Sequence, residues 1–336
     1  MLRMPGFRLL QPESLAEAAA MLAGEGEGAR LAAGGTDLFP NLKRRHQKAT
    51  TVISLARAAR RDPALAAVSA GSAPGGDLHL GPMARLSSIE ASEAVWMRFP
   101  ALARAVASIS SPVLRNMGTI GGNVCLDTRC TYYNQSEEWR RSISYCMKAE
   151  GKVCWVAPSS PRCWAVQSAD SVPMLIALAA RVRLLSAAGE REIPLEALYR
   201  DDGMNYLTRR PDEIVAGIDV PAASEASRLR TAFFKLRRRG SIDFGVLSVA
   251  VALRMAGSTV ESARIVLGSI ASFPAAAEAA AAELAGKPLS EESIRAAAAK
   301  TRSATTPMDN TDLDPRWRGQ VTPVYVERTL REAAGI

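Results

Sequence analysis

The chain has 336 residues, of which 48 % are hydrophobic, and it carries 42 Lys and Arg against 34 Asp and Glu. This length supports two or three domains, each with its own hydrophobic core, so disulfide bonds are not needed to stabilise the fold. The excess of basic residues is spread along the chain. Its densest runs, LKRRHQK (42–48) and KLRRRG (235–240), lack aromatic residues, which argues against nucleic-acid binding and favours solvated faces or an interface with acidic partner subunits.

No stretch has the length and apolar character of a signal peptide or a membrane span. We therefore expect a soluble, cytoplasmic protein that binds no membrane. Thiols stay reduced in that compartment, and an odd count of five cysteines also argues against a disulfide framework. Ligation of a metal or a cluster is the leading interpretation of these cysteines.

The first elements predict an α/β unit. A helix from about Ser14 to Leu22, stopped by Gly24, precedes short strands near 29–33 and 50–56. Between these strands, AAGGTDLFP (32–40) places two adjacent glycines after a strand. Such glycines permit positive φ and let backbone N–H groups converge on a phosphate, although a tight turn before a helix near Asp37 explains the same pattern.

A second glycine motif, NMGTIGGNVC (116–125), follows a helix predicted at about 100–110. Its threonine hydroxyl and asparagine amide add to the backbone donors of the glycines. Two such motifs suit the pyrophosphate of a dinucleotide better than one. Neither matches GxGxxG and no GxxxxGK[ST] occurs, which disfavours Rossmann and P-loop folds.

The remainder of the chain predicts a second group of elements. Residues 168–195 indicate a capped helix, a strand, an AAGER hairpin turn and a loop, EIVAGIDVP (213–221) indicates an edge strand, and AASEASR (222–228) indicates a linker. The later elements are strands near 230–237, 246–254 and 260–269, helices near 274–285 and 290–300, and a closing helix from Pro323 to Ala334. Strands followed by helices are typical of an α+β domain.

Residues for acid–base or nucleophilic catalysis are scarce. His46 and His79 are the only histidines, and neither HExxH nor GxSxG occurs. Serine catalysis and histidine-based metal hydrolysis lack their usual parts. We therefore predict no catalytic residue in this chain and expect it to carry a cofactor.

All five cysteines lie within one segment, at positions 125, 130, 146, 154 and 163. Four thiolates could hold tetrahedral zinc or an iron–sulfur cluster, but the C-x₂-C pairs typical of both are absent. Six of the eleven Tyr and Trp residues share the segment: Tyr132, Tyr133, Trp139, Tyr145, Trp155 and Trp164. They could limit the access of solvent to a cluster, or form the small core of an insertion.

Five motifs resemble the FAD-binding medium subunit of the molybdenum hydroxylases, the superfamily of xanthine dehydrogenase and carbon monoxide dehydrogenase. In chain order they are AAGGTDL, NMGTIGGN, SADSVPMLIALAARV, FFKLRRRGSIDFGVLSVAVAL and GSIASFP. The resemblance runs from Phe7 to about Ala333 and implies an α+β fold. It implies a two-subdomain FAD-binding domain of the PCMH (vanillyl-alcohol oxidase-like) type at 1–222, divided into 1–57 and 58–222, and an α+β C-terminal domain of the CO dehydrogenase flavoprotein type at 223–336.

The same resemblance implies which residues bind FAD. The first pyrophosphate loop corresponds to Leu31, Ala32, Ala33, Gly34, Gly35, Thr36, Asp37 and Leu38. The second corresponds to Thr119, Ile120, Gly121, Gly122 and Asn123. Asp170 matches the acidic FAD contact, Lys235 the lysine near the flavin, and Val215 an apolar neighbour of the flavin.

The cysteine segment, at about 125–166, is an insertion relative to most of the superfamily. It resembles the insertion of 4-hydroxybenzoyl-CoA reductase beta subunits, which holds a 4Fe-4S cluster. This resemblance implies the ligands Cys130, Cys146, Cys154 and Cys163, with Cys125 a non-ligand, although an exchange of Cys125 and Cys130 stays open.

That resemblance also implies a direction of electron flow. A low-potential donor such as ferredoxin would supply electrons through the 4Fe-4S cluster and FAD to 2Fe-2S centres in a small subunit and a molybdenum cofactor in a large one. The complex would be a heterotrimer, doubled to a heterohexamer, that reductively dehydroxylates 4-hydroxybenzoyl-CoA to benzoyl-CoA. Arg140, Arg141, Lys148 and Lys152 are expected to steer an acidic ferredoxin.

Two alternatives stay open. In one, the chain is the FAD subunit of a different molybdenum hydroxylase with oxidative chemistry. In the other, it is a zinc-stabilised scaffold or binding module.

Overall fold

The computed structural model describes residues 2–71, 76–222 and 228–336. The strands are β1 (Arg8–Leu10), β2 (Ala29–Ala32), β3 (Thr51–Ser54), β4 (Val68–Ala70), β5 (Leu78–Leu80), β6 (Arg181–Ser186), β7 (Gly189–Pro194), β8 (Ile214–Val220), β9 (Leu229–Leu236), β10 (Leu247–Ala256), β11 (Thr259–Gly268) and β12 (Ala275–Ala276). The helices are α1 (Leu15–Glu25), α2 (Leu38–Lys43), α3 (Ala56–Arg61), α4 (Leu86–Glu90), α5 (Glu93–Arg98), α6 (Pro100–Ala107), α7 (Pro112–Arg115), α8 (Ile120–Val124), α9 (Glu137–Ser142), α10 (Ser171–Ala177), α11 (Glu278–Leu284), α12 (Glu291–Lys300) and α13 (Pro315–Ala334).

The first unit is a parallel sheet in the order β1-β3-β2, with α1 packed against it. The side chain of Ser14 caps α1 by accepting from the backbone N–H of Glu17 at 3.1 Å. Leu15, Ala18, Ala19 and Leu22 form its buried face, at the i, i+3, i+4 and i+7 spacing of one helix side. The predicted helix is present but continues through Gly24 to Glu25.

The second unit is a sheet in the order β4-β5-β8-β6-β7. β8 pairs with both β5 and β6, so the prediction that residues 213–221 form an edge strand is wrong. Its side chains are buried on both faces, which is the environment of a central strand. The exposed β7 pairs only with β6 and takes the edge instead, where the sequence predicted a loop.

The third unit is an antiparallel sheet in the order β12-β11-β10-β9, with α11, α12 and α13 on one face. Successive residues of β10 face opposite sides of the sheet. Val249 and Val251 join the core shared with these three helices. Ala250 and Ala252 join the core of the second unit, so the sheet is covered on both sides.

Three other predictions concern this part of the chain. The closing helix α13 begins at Pro315 rather than at Pro323, which lies inside it. The Ala-rich α11 begins at Glu278 because the preceding Ala275–Ala276 is β12. Most of the predicted linker, residues 223–227, lies outside the described residues.

Candidate functional site

Two glycine loops meet backbone to backbone at the junction of the first two units. A Cβ on Gly34 would lie 1.8 Å from the carbonyl oxygen of Met117, so only glycine permits this approach. Gly35 has φ of 71°, in the left-handed region. In the second loop, a Cβ on Gly121 would lie 2.6 Å from the carbonyl oxygen of Pro82. The predicted positive φ is thus found at Gly35, whereas Gly34 and Gly121 serve a close packing of backbones that the sequence analysis did not predict.

These loops border a cavity of about 620 Å³, here named the large cavity. Its volume lies within the range of roughly 300–1,000 Å³ that is usual for ligand and cofactor sites. Thirteen of the predicted FAD ligands line it: Leu31, Ala33, Gly34, Gly35, Thr36, Asp37, Leu38, Thr119, Gly121, Gly122, Asn123, Asp170 and Val215. Ala32 and Ile120 are buried in the neighbouring cores, because adjacent residues of each loop point in different directions.

Lys235 lies behind the wall of the large cavity. Its ammonium group pairs with the carboxylate of Asp170 at 2.7 Å, and the two side chains are 3 % and 7 % exposed. Lys235 also donates to the carbonyl of Ser108 at 3.1 Å. Burial raises the pKa of Asp170 to about 6, and the ammonium of Lys235 opposes this rise. Asp170 precedes α10 but makes no capping hydrogen bond there, contrary to the predicted capped helix.

The wall of the large cavity carries unpaired acceptors. The Oδ1 of Asp170 and the Oγ of Ser168 are buried and have no hydrogen-bond partner among the described residues. Buried polar atoms are normally paired, so these two side chains depart from the usual arrangement. The volume of the large cavity and the close backbone approach of its glycine loops fit a large cofactor such as FAD.

Sequence reasoning missed other residues of this wall. Arg44 belongs to a basic run interpreted above as a solvated face or an interface, yet it borders the large cavity. Tyr206 also lines it and comes from a loop without a recognisable motif, whereas Ile242 and Phe244 belong to the motif at 233–253 but were not assigned to the cofactor site. Ile242 has φ of 51° and donates its N–H to the carbonyl of Ser110, which places its loop beside α6.

Four cysteines converge on a second, smaller cavity, here named the thiol cavity. Cys130, Cys146, Cys154 and Cys163 all line it, are buried, and form no disulfide. Cys125 instead lines the large cavity. The structure thus places Cys130, and not Cys125, with the other three thiols.

Aromatic residues form part of the wall of the thiol cavity. Tyr132, Tyr133 and Trp155 line it. Trp139 lies behind Tyr132, with ring centroids 6.2 Å apart. Trp155 is also 37 % exposed, so one wall of the thiol cavity borders solvent.

Burial controls the chemistry of these thiols. It raises the pKa of the Cys130 thiol to about 12 and that of Cys163 to about 11, because a thiolate is poorly solvated there. A coordinated metal reverses this effect, since ligating thiols lose their protons. Among the described residues, no group of three or more His, Cys, Asp or Glu is placed to hold a single metal ion.

The cysteine segment is fastened to the rest of the molecule by buried charges. Arg140 is 1 % exposed and donates to the carbonyl of Arg44 at 2.8 Å. Lys148 is 6 % exposed and pairs with Asp127 at 2.8 Å. The prediction that Arg140 and Lys148 steer a partner is therefore wrong. Arg141 and Lys152 are the exposed members of that set.

The third unit also holds the cysteine segment. Asn310 is buried, and its side-chain amide donates to the carbonyl of Trp164. Its backbone carbonyl accepts from the N–H of Thr131 at 2.9 Å. Asn310 therefore fixes the positions of Thr131 and Trp164, the residues that follow Cys130 and Cys163.

Comparison with known families covers nearly the whole chain. The family described as FAD binding domain in molybdopterin dehydrogenase matches residues 5–223. This chain belongs to that family. The family described as CO dehydrogenase flavoprotein C-terminal domain matches residues 232–333. The chain is thus the FAD-binding oxidoreductase subunit of a molybdenum hydroxylase-type enzyme.

Individual relatives agree with this assignment. The carbon monoxide dehydrogenase medium chain of Hydrogenophaga pseudoflava is 27 % identical over 329 residues, which cover 98 % of this chain and 97 % of that protein. The 6-hydroxypseudooxynicotine dehydrogenase complex subunit alpha of Paenarthrobacter nicotinovorans is 26 % identical, with 98 % and 95 % covered. The aldehyde oxidoreductase FAD-binding subunit of Escherichia coli is 29 % identical, with 78 % and 81 % covered.

A solved structure matches the fold from end to end. It is carbon monoxide dehydrogenase from Hydrogenophaga pseudoflava lacking the Mo-pyranopterin moiety of its cofactor, with a TM-score of 0.78, 27 % identity and 99 % of each chain covered. The predicted fold class, an FAD-binding domain followed by a CO dehydrogenase flavoprotein domain, is confirmed. No described helix is both long and apolar enough to span a membrane.

Proposed function

We propose that this chain carries a 4Fe-4S cluster as well as FAD and conducts electrons between a low-potential donor and the molybdenum centre of a multi-subunit reductase. The four buried thiols that line one cavity beside the large cavity carry this proposal. Bound there, FAD and the cluster would supply one- and two-electron redox chemistry. The protein would hold the two groups apart, orient them and limit access of water.

Zinc and a 4Fe-4S cluster require different arrangements of four thiolates. A structural zinc ion needs four ligands around one point, with Zn–S distances of about 2.3 Å. In a 4Fe-4S cluster each thiolate binds a different iron, so the four sulfurs surround a larger group. Cys130, Cys146, Cys154 and Cys163 line one cavity, and the preference for a cluster over zinc rests on the resemblance of the cysteine segment to that of 4-hydroxybenzoyl-CoA reductases.

In the large cavity, each set of residues has a distinct role toward FAD. The glycine loops at 34–35 and 121–122 would bring backbone close to the pyrophosphate. The Asp170 carboxylate, paired with Lys235, would place an acidic side chain in the wall of the FAD site. Val215 lines the cavity from the central strand β8 and would pack against the flavin.

For the whole enzyme, we propose reductive dehydroxylation of 4-hydroxybenzoyl-CoA to benzoyl-CoA, with ferredoxin as donor in the cytoplasm. A large molybdenum subunit and a small 2Fe-2S subunit would complete the complex. Resemblance of the cysteine segment to that of 4-hydroxybenzoyl-CoA reductases supports this direction. Trp155 connects the thiol cavity with the surface, where a redox partner protein could dock in either direction of electron flow.

Oxidative chemistry is the second candidate. Relatives named above are dehydrogenases or an aldehyde oxidoreductase, and 26–27 % identity to two of them extends over 98 % of this chain. In that case electrons would leave through the thiol cavity instead of entering there. The same residues would bind the same cofactors, so the direction has to be measured on the complete complex.

The cofactor proposal is tested by anaerobic purification of the chain with analysis of iron, sulfide, zinc and flavin. We expect about four irons and one FAD per chain. Cys146→Ser should lose iron and keep FAD, whereas the matched control Cys125→Ser should keep its iron. FAD without metal in the unmodified chain would contradict the cluster, and zinc without iron would mean that the four thiols hold a structural zinc ion.

The reaction is tested on the complex purified with its partner subunits. Reduced methyl viologen and 4-hydroxybenzoyl-CoA should give benzoyl-CoA, detected by mass spectrometry. Oxidation of aromatic or aldehyde substrates with an electron-accepting dye, without any reduction of 4-hydroxybenzoyl-CoA, would favour the oxidative candidate instead.

A further inference from the structure

A buried ion pair lies in the wall between the two cavities. Lys148 lines the thiol cavity, and Asp127 lines the large cavity. The Nζ of Lys148 lies 2.8 Å from the Oδ1 of Asp127, with side chains 6 % and 7 % exposed. The pair therefore presents its positive end to the four thiols and its negative end to the FAD site.

Neighbouring groups fix this orientation. Lys148 also donates to the carbonyl of Gly203 at 2.8 Å, and Asp127 accepts from the side-chain amide of Gln47 at 3.0 Å. The rings of Tyr133 and Tyr206 flank the ammonium group, with centroids 5.1 and 5.4 Å away. Since water is nearly excluded, the two charges are weakly screened and act on both cavities.

We propose that the Lys148–Asp127 pair sets the reduction potentials of the two cofactors relative to one another. An electron added to a cluster increases its negative charge, and the adjacent ammonium of Lys148 stabilises that state. The carboxylate of Asp127 disfavours added negative charge on the flavin. The pair thus raises the potential of the cluster and lowers that of FAD. This inference rests on the proposed function, because it requires a cluster in the thiol cavity.

Charge near a cluster is one of the protein's means of setting its potential. A buried ion pair also has a purely structural use, which is to hold the cysteine segment against residues 125–129. The two roles predict different outcomes when each charge is removed separately. A structural role gives loss of cofactor or equal effects from both variants, whereas an electrostatic role gives potential shifts of opposite sign.

The experiment is an anaerobic, dye-equilibrated redox titration of the full chain loaded with FAD and iron, followed by absorption and electron paramagnetic resonance. Lys148→Met should shift the cluster potential to a more negative value. Asp127→Asn should shift it to a more positive value, because the charge of Lys148 is then unopposed. The matched control Lys152→Met removes an exposed lysine of the same segment and should leave both potentials unchanged.

A double variant covers the case in which an unpaired buried charge prevents folding. Lys148→Gln with Asp127→Asn keeps a hydrogen-bonded pair and removes both charges. Its cluster potential should fall and its flavin potential should rise relative to the unmodified chain. Unchanged potentials in this variant, or shifts of the same sign in both single variants, would overturn the inference alone. An unmodified chain that binds no iron would overturn the proposed function and this inference with it.

Discussion

At the residue scale, Gly34 is the position where the two cofactor loops touch. A Cβ there would overlap the backbone of Met117, which cannot rotate away as a side chain could. Both loops would have to separate, and the backbone donors that border the large cavity would move with them. The geometry of the cofactor site therefore depends on the absence of a single side chain.

We predict that Gly34→Ala abolishes FAD binding, with a loss of at least about tenfold in flavin content, since overlap with a fixed backbone is not relieved by rotamers. The measurement is flavin absorbance per chain after purification. Gly24→Ala is the matched control, because Gly24 lies in α1 with open space around its Cα. That variant should keep its flavin and gain about 0.5–1 kcal/mol of stability. Equal flavin content in both variants would contradict the prediction.

A second prediction at the residue scale concerns the effect of Asp170 on the pH dependence of stability. Its pKa of about 6 in the folded chain exceeds the ordinary value of 3.8. Between these values the folded chain holds a proton that the unfolded chain releases, so stability falls as the pH rises from 4 to 6. Asp170 lowers the free energy of unfolding by up to about 3 kcal/mol over this pH range, since each pKa unit corresponds to about 1.4 kcal/mol.

The test compares urea unfolding of the FAD-stripped chain and of Asp170→Asn at several pH values between 4 and 6. The difference in the free energy of unfolding, unmodified minus variant, should decrease as the pH rises. Parallel curves for the two proteins would show that the carboxyl group keeps its ordinary pKa.

Local patterns explain which site residues could be predicted. Gly34, Gly35 and Gly121 are required by the conformation and packing of their own loops, so the sequence motif reveals them. The burial of Lys148 and Arg140 depends on Asp127 and on the carbonyl of Arg44, which is 96 positions away in sequence. A basic residue in a polar segment gives no sign of such contacts, and the sequence therefore suggested a surface role.

At the element scale, α13 is joined to the third sheet by a buried arginine. Arg318 donates to the carbonyls of Val246 and Ser269 at 3.0 and 2.8 Å, and to that of Met308 at 3.1 Å. Burial lowers its pKa to about 10, which leaves it charged at neutral pH. The helix thus satisfies loop carbonyls that no strand partner reaches.

We predict that Arg318→Met lowers the free energy of unfolding by about 3 kcal/mol, because three carbonyls lose a charged donor. Chemical denaturation monitored by circular dichroism measures this change. Arg316→Met, on the exposed side of the same helix, is the control and should change stability by less than about 0.5 kcal/mol. Similar losses in both variants would mean that the carbonyl contacts contribute little.

Two elements show why sequence periodicity was insufficient. The uncharged run in β8 was assigned to an edge, although burial on both faces is what such a run favours in the middle of a sheet. The predicted start of α13, Pro323, carries a residue type that is common in the first turn of helices. The capping Asp314 and the packing of Arg318 outweigh the hydrogen bond lost at Pro323.

At the scale of the whole molecule, the third sheet belongs to two cores. Phe233, Ala250, Ala252 and Val266 pack with residues of the second unit, and the opposite face packs with α11–α13. The Lys235–Asp170 pair crosses the same boundary. The predicted division at residue 222 therefore does not separate two independent cores, and the boundary itself stays a prediction.

We predict that the full chain unfolds in one cooperative transition. Four of the five tryptophans precede residue 223, and three of these lie in the cysteine segment. Their fluorescence therefore reports on the chain before the third unit, whereas far-ultraviolet circular dichroism reports on the entire chain. In urea, the two signals should give the same midpoint. Midpoints that clearly differ would show that the shared core does not couple the units.

The contact of Asn310 with Thr131 and Trp164 also has a consequence for biosynthesis. Asn310 is translated about 150 residues after Cys163, which at a synthesis rate of about 5–20 residues per second corresponds to roughly 7–30 s. During this interval the cysteines have left the ribosome without the asparagine that fastens them. The order of residues along the chain thus leaves the nascent thiols without this contact until the last domain has been synthesised.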